Sequence, residues 1–166
     1  MARAITKKSA LLLYTTIREI NPDVVVESGV ANGTSTLMIL SALNRNRRGK
    51  LYSIDINKDV GILLKGIDKR RWKLNIGKAG KIFSSTIKKL DKIDVFIHDS
   101  DHSYRNMQFE FNTIKGKINP KGVIISDDIH LNSSFFELAV NIGVKPKIYC
   151  SLLKSMGKLA LADRST

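Results

Sequence analysis

Acidic side chains close four of the apolar, β-branched runs in this sequence, and that recurrence is where chemistry is expected. Glu27 follows Val24-Val25-Val26, and Asp55 follows Leu51 to Ile54. Asp99 follows Phe96-Ile97-His98, and Asp127 with Asp128 follows Ile124-Ile125-Ser126. Just after Glu27 comes Gly29-Val30-Ala31-Asn32-Gly33, a strand-to-helix turn whose glycines let backbone approach a ligand closely. Its spacing tells against two common ligands. A dinucleotide fingerprint needs glycine where Ala31 and Thr34 stand, and an ATP loop needs a Gly-Lys-Ser/Thr that is absent. The acid before the turn suits a cationic or amino-bearing ligand better than a pyrophosphate. A glycine turn with no ligand is the bland alternative.

Asp55 ends its strand where a carboxylate can accept hydrogen bonds from both hydroxyls of a ribose, and it would serve equally as a helix N-cap. Asp99, Asp127 and Asp128 end two strands expected to lie side by side. Carboxylates that close repel unless one is protonated or a cation sits among them. An all-oxygen donor set suits a hard cation such as Mg²⁺, and no Cys/His cluster fits zinc. The competing reading makes Asp127 or Asp128 a helix cap, and Asp101 the cap of a helix starting near Ser103.

The elements that must position these residues follow from periodicity. Ala10, Leu13, Ile17 and Ile20 mark a helix over about 5–20, stopped by Asn21-Pro22. Strands are expected at 23–27, 51–56, 72–76, 94–98 and 123–126. Between them, helices are expected from Thr34 to Leu43, through Val60, Leu63, Leu64 and Ile67, and through Phe83, Ile87 and Leu90. Another runs through Met107, Phe111, Ile114 and Ile118, with Asn119-Pro120-Lys121-Gly122 as a turn after it. A weaker helix follows at about 133–142. Strands alternating with helices make an α/β, Rossmann-like, doubly wound sheet, mostly parallel. The runs 147–153 and 158–162 are joined by a linker too short for a parallel crossover, so they are expected to form a C-terminal antiparallel hairpin. The chain reads as one domain over 1–166, an N-terminal helix at 1–21 and a core at 22–166.

Composition narrows the class. The 166 residues are 43% hydrophobic and 26% charged, an ordinary globular balance, with no apolar run long enough to span a membrane. Ala10 to Leu13 is too short for a signal-peptide core, and the single Cys150 excludes an intrachain disulfide, so a soluble cytoplasmic protein is expected. The net charge of +13 invites a nucleic-acid reading. More than half of the 28 Lys and Arg, however, fall in the loops leading from helices into strands, where cations complement helix C-termini. That is the end of the sheet opposite the expected ligand crevice, so a nucleic-acid partner is not favoured.

Four features in this order, the glycine turn, Asp55, Phe96-Ile97-His98-Asp99-Ser100-Asp101-His102-Ser103-Tyr104 and Gly122-Val123-Ile124-Ile125-Ser126-Asp127-Asp128, resemble a class I S-adenosylmethionine-dependent methyltransferase. More narrowly, the last two strings are similar to the methyltransferase domain 24 family, in the catechol O-methyltransferase-like group. The resemblance runs from about Val24 to Asp128. It implies that Glu27, Gly29, Gly33 and Ser35 hold the methionine part of S-adenosylmethionine, and Asp55 its ribose. It implies a Mg²⁺-type ion on Asp99, Asp127 and Asp128. It also implies a catalytic base at His102, three residues after Asp99. One departure falls at Gly77-Lys78-Ala79, where such enzymes often carry an acid near the adenine. Lys78 cannot accept a hydrogen bond, so adenine contact there would rest on the backbone of Gly77 and Lys78. The expected activity is methylation of a hydroxyl on a small molecule. An RNA methyltransferase and a non-catalytic methyltransferase-like binding subunit are the alternatives, and a homo-oligomer could close the open side of the pocket.

Overall fold

The structure is a computed structural model that describes residues 6–150 and 158–163. Its elements run α1 (Lys7–Ile20), β1 (Val24–Ser28), α2 (Thr34–Asn46), β2 (Lys50–Asp55), β3 (Trp72–Ile76), α3 (Ala79–Lys88), β4 (Ile93–His98), α4 (Tyr104–Ile114), β5 (Ile118–Ser126), α5 (Ser134–Asn141), β6 (Lys147–Cys150) and β7 (Lys158–Asp163). They form one sheet in the order β3-β2-β1-β4-β5-β7-β6. Strands β1 to β5 are parallel. β7 runs antiparallel to both β5 and β6, with Cys150 opposite Lys158. The turn assigned to Lys154–Gly157 lies outside the described residues. The strand order reverses between β1 and β4, which makes the cleft above those two strands the switch point where such sheets take ligands.

The central strands carry apolar residues on both faces because both faces of the sheet are covered. Val25, Val95, Ile97, Val123 and Ile125 pack with Leu13 and Ile17 of α1 and Ile39, Leu40 and Leu43 of α2. Their neighbours in the pleat, Val26, Phe96 and Ile124, pack on the other face with Phe83, Ile87, Met107, Phe111 and Phe135. That alternation fixes where the polar strand ends point. Glu27 shares a face with Val25, toward α2, whereas Ser28 and His98 share a face with Val26 and Phe96, toward α4.

Three expectations are corrected. The helix through Val60, Leu63, Leu64 and Ile67 is instead a single 3₁₀ turn, Ile62–Leu64. Its backbone donors are spent on the glycine loop, Gly61 to the carbonyl of Ala31 (2.8 Å) and Leu63 to that of Asn32 (3.1 Å). Gly61 and Gly66 both take positive φ, which ends any helix there. Ile118 is not the last residue of the α4 stripe but the first of β5, paired with Ile93. The expected turn at Asn119–Gly122 is an excursion inside β5, four residues standing opposite the single Asp94 before Val123 pairs with Val95.

At the carboxyl end of β1, Glu27 is fully buried and accepts three hydroxyl hydrogen bonds. They come from Ser35 (2.6 Å) and Thr36 (2.8 Å) at the start of α2 and from Ser53 (2.6 Å) on β2. Trp72 Nε1 on β3 donates to the same Ser53 oxygen at 2.9 Å. One carboxyl group thus joins three strands to the helix after the glycine turn. Burial raises its pKa and the three hydroxyl donors oppose that rise. Replacing Glu27 by Ala strands three buried donors, and the unfolding free energy, read from the urea midpoint, should fall by about 3–5 kcal/mol.

Candidate active site

Backbone ladders carry the strand ends into one rim. Gly29 N–H donates to the Ile54 carbonyl (2.9 Å), Asp99 N–H to that of Ser28 (2.8 Å), and Asp127 N–H to that of His98 (3.1 Å). Gly29 has φ of 89°, and a Cβ there would lie 1.9 Å from the Asp99 carbonyl oxygen, so only glycine lets β1 and β4 close up at this level. Asp55 braces the glycine loop from β2. Its Oδ2 accepts from Val30 N–H (2.9 Å) and Ala31 N–H (3.4 Å), its Oδ1 from Asn57 N–H (2.8 Å). No α-helix follows Asp55, so the N-cap alternative does not hold; its Oδ1, with one donor, retains a lone pair for a ligand.

A crevice of about 590 Å³ opens over this rim. Among the described residues five acids, Asp55, Asp59, Asp99, Asp101 and Glu110, line it and no lysine or arginine does. Ile54, Ile56, Val60, Ala79 and Phe83 give it an apolar side. Asp99 feels the crowding most. Burial, and then the charges of Asp127, Glu27 and Asp128, push its carboxyl up to about 8, so at neutral pH it is mainly protonated. Burial also raises Asp127. His102 Nε2 stands 3.8 Å from Asp99 Oδ1, and burial, reinforced by His98, lowers its pKa despite the acids nearby. Its imidazole is therefore neutral at pH 7.

Not every residue singled out from sequence reaches the crevice. Gly29, Asp55 and Asp99 line it; Glu27, Gly33, Ser35, Gly77 and Lys78 do not. Glu27 and Ser35 bond to each other beneath the glycine turn, Gly33 has φ of 89° and packs on Gly61 and Leu64, and Gly77 N–H bonds the Asp55 carbonyl. Lys78 is exposed and precedes α3. His102, Asp127 and Asp128 lie beyond Asp99, outside the lining. Asp101 braces Ser103, the true N-cap of α4, through Ser103 N–H (2.9 Å) and Oγ–H (3.0 Å). Among the described residues no three His, Cys, Asp or Glu side chains converge as an ion would require. The donor set Asp99, Asp127 and Asp128 does not fit a resident Mg²⁺ as it stands, and its repulsion is relieved by the proton on Asp99. Sequence reasoning missed Glu110, which interrupts the apolar stripe Met107-Phe111-Ile114 on the buried face of α4. An acid at that spacing was the available signal.

A family described as methyltransferase domain, methyltransferase domain 24, matches residues 26–129. The chain belongs to this family. No curated protein matches the chain in sequence. Among solved structures it is similar to an O-methyltransferase from Bacillus cereus in complex with S-adenosylhomocysteine, with TM-score 0.78, 14% identity, and coverage of 98% of this chain and 84% of that one. It is also similar to the O-methyltransferase TomG from Streptomyces achromogenes, involved in tomaymycin synthesis and in complex with S-adenosylmethionine, with TM-score 0.75, 14% identity, and 96% and 81% coverage. The fold and the family agree: the parallel sheet with its flanking helices is the fold of those solved methyltransferases, and the chain carries a methyltransferase domain. No helix among the described residues is long and apolar enough to cross a membrane.

The proton on Asp99 has a measurable consequence. Its folded pKa of about 8 lies above the unfolded 3.8, so between those values the folded state holds a proton that the unfolded state has released. Stability should fall as pH rises through that window. Asp99→Asn removes this contribution. Melting temperatures at pH 5 and pH 8 should show the variant gaining on the unmodified protein at the higher pH; parallel pH profiles for the two would contradict the assignment.

Proposed function

We propose that this methyltransferase moves the methyl group of S-adenosylmethionine to a hydroxyl oxygen of a small molecule. The observation that carries the reading is the charge of the crevice, five carboxyl groups and, among the described residues, no basic side chain around about 590 Å³. That lining suits a ligand carrying sulfonium and ammonium charges and opposes a polyphosphate or nucleic-acid backbone. The Bacillus and Streptomyces structures, both described as O-methyltransferases, support oxygen as the acceptor atom.

The residues divide the work. Asp55 Oδ1 lines the crevice with a lone pair left for a ribose hydroxyl, and Phe83 with Ile54 and Ile56 offers an apolar wall to a purine. When bound, the cofactor supplies an electrophilic methyl carbon. Asp99 marks the boundary between the crevice and the side from which the acceptor approaches. His102, neutral and beside Asp99, takes the hydroxyl proton on Nε2. With that proton taken up by His102, the acceptor oxygen would be free to attack the methyl carbon, and the sulfur of the bound cofactor would leave with the C–S electron pair.

Methyl-labelled S-adenosylmethionine incubated with phenols, catechols and sugar alcohols tests the reading. Label on an acceptor oxygen is expected; transfer confined to amine or RNA acceptors would overturn it. With an acceptor in hand, His102→Ala should lower kcat by about 10²–10⁴-fold while leaving cofactor affinity nearly unchanged. Turnover should also survive a chelator, whereas loss restored by Mg²⁺ would show the three aspartates closing on an ion.

A further inference from the structure

The crevice holds one side-chain amide, on α4, whose two ends are unequally employed. Asn106, in the first turn of that helix, lines the crevice together with Ala79 and Phe83 of α3. The two helices meet there. Phe109, three residues on, packs against Phe83 at 5.8 Å between ring centroids, and a Cβ at Gly80 would lie 3.8 Å from Phe109 Cζ. Asn106 Nδ2 donates to the Asp101 carbonyl (2.8 Å), to Glu110 Oε1 (3.2 Å) and to Ser100 Oγ (3.3 Å). A backbone carbonyl only accepts, so the amide nitrogen belongs on that side. At the other end, Oδ1 accepts from no donor among the described residues. The neighbouring polar groups are already committed. Ser28 and Ser100 give their hydroxyl protons to Glu110 Oε1 (2.7 and 2.9 Å), and Glu110 Oε2 stands 2.8 Å from His98 Nδ1. The Asp101 carboxylate is turned to Ser103. The stretch after β3 adds nothing, since Gly77 and Lys78 lie outside the lining and Gly77 N–H is given to the Asp55 carbonyl (3.1 Å).

We propose that Asn106 Oδ1 accepts from the 6-amino group of the cofactor's adenine, and that this contact makes the site selective for an adenosyl over an inosyl ligand. The inference rests on the reading that S-adenosylmethionine occupies the crevice, with its ribose at Asp55 and its purine against Phe83. Adenine brings an amino donor to a waiting acceptor. Hypoxanthine brings a carbonyl oxygen to the same place, acceptor against acceptor. A freely turning amide would adapt to either base by presenting its nitrogen instead. This one is held. Turning it would aim Oδ1 at the Asp101 carbonyl and at Glu110 Oε1, so two repulsive contacts would replace two bonds for the sake of one new bond. Asp101 and Glu110 are therefore positioning residues, and the orientation they impose on Asn106 is what discriminates between the bases.

Calorimetric titration of the full chain with S-adenosylhomocysteine, S-inosylhomocysteine and the analogue with an unsubstituted purine tests this without any methyl acceptor. The expected order is adenosyl tightest, unsubstituted purine next, and inosyl weakest, about 10²-fold below adenosyl. The unsubstituted purine keeps the ring nitrogens of adenine, so its loss of affinity reports the amino group alone. Asn106→Leu keeps a similar volume and removes the acceptor. It should weaken S-adenosylhomocysteine by about tenfold and bring the three ligands to nearly equal affinity. A purely structural asparagine would instead weaken all three alike and leave their ratios unchanged, so the ratio is the readout. Equal affinities in the unmodified protein, or an adenosyl preference that persists in folded Asn106→Leu, would overturn the proposal while leaving the cofactor reading in place. Should the variant fail to fold, the order of the three ligands on the unmodified protein decides. Failure of all three to bind would remove the cofactor reading and this inference with it.

Discussion

The buried carboxyl group of Glu27 is the interaction on which the rest of this structure depends. It sits at the end of the central strand, where the chain must leave the sheet through a tight glycine turn, and it gathers hydroxyls from α2 and β2. Those bonds set the height of α2 relative to the sheet and thereby the path of the turn between them. The turn in turn presents the Val30 and Ala31 N–H groups to Asp55 and places Gly29 against Asp99. A group chosen only for cofactor contact would be exposed to the crevice. This one is enclosed and satisfied by three donors, which is how a buried carboxyl group is tolerated.

The same charge reaches the chemistry. Glu27 is among the acids that raise Asp99, together with Asp127 and Asp128. The result is an edge of the sheet dense in carboxyl groups, one of them protonated near neutrality, facing a crevice that no basic residue lines among the described residues. Such an arrangement disfavours anions and gains stability when a cation enters. Entry of a positively charged ligand should lower the pKa of Asp99 and release its proton. Basic residues are abundant in the chain, yet none of the described ones lines this space, so the net charge of +13 says little about the ligand.

Much of this was legible in the residues. Alternating strand and helix periods give the parallel order of β1 to β5, and the acids at the strand ends mark the rim, because local pattern and global fold agree there. β3 was placed at 72–76 from sequence, as found. Reading failed where tertiary demands override periodicity. Val60 to Ile67 has helical spacing, but its N–H groups are needed by the glycine loop. Ile118 extends the α4 stripe in sequence but pairs with Ile93 in space. Strand alternation could have shown that Glu27 turns toward α2 and His98 toward α4, since each shares the parity of its apolar neighbours. What sequence could not supply was the partner across the gap: Glu110 reads as a break in an apolar stripe until α4 is laid against β4.

The account stands or falls on a cationic ligand in an acidic crevice. Isothermal calorimetry with S-adenosylmethionine at pH 7, in two buffers of different ionisation heat, tests it most directly. The account predicts saturable binding of one ligand per chain, with an apparent heat that depends on the buffer because a proton leaves Asp99. Saturable binding of NAD with no response to S-adenosylmethionine, or binding of the cofactor with no proton released, would contradict it.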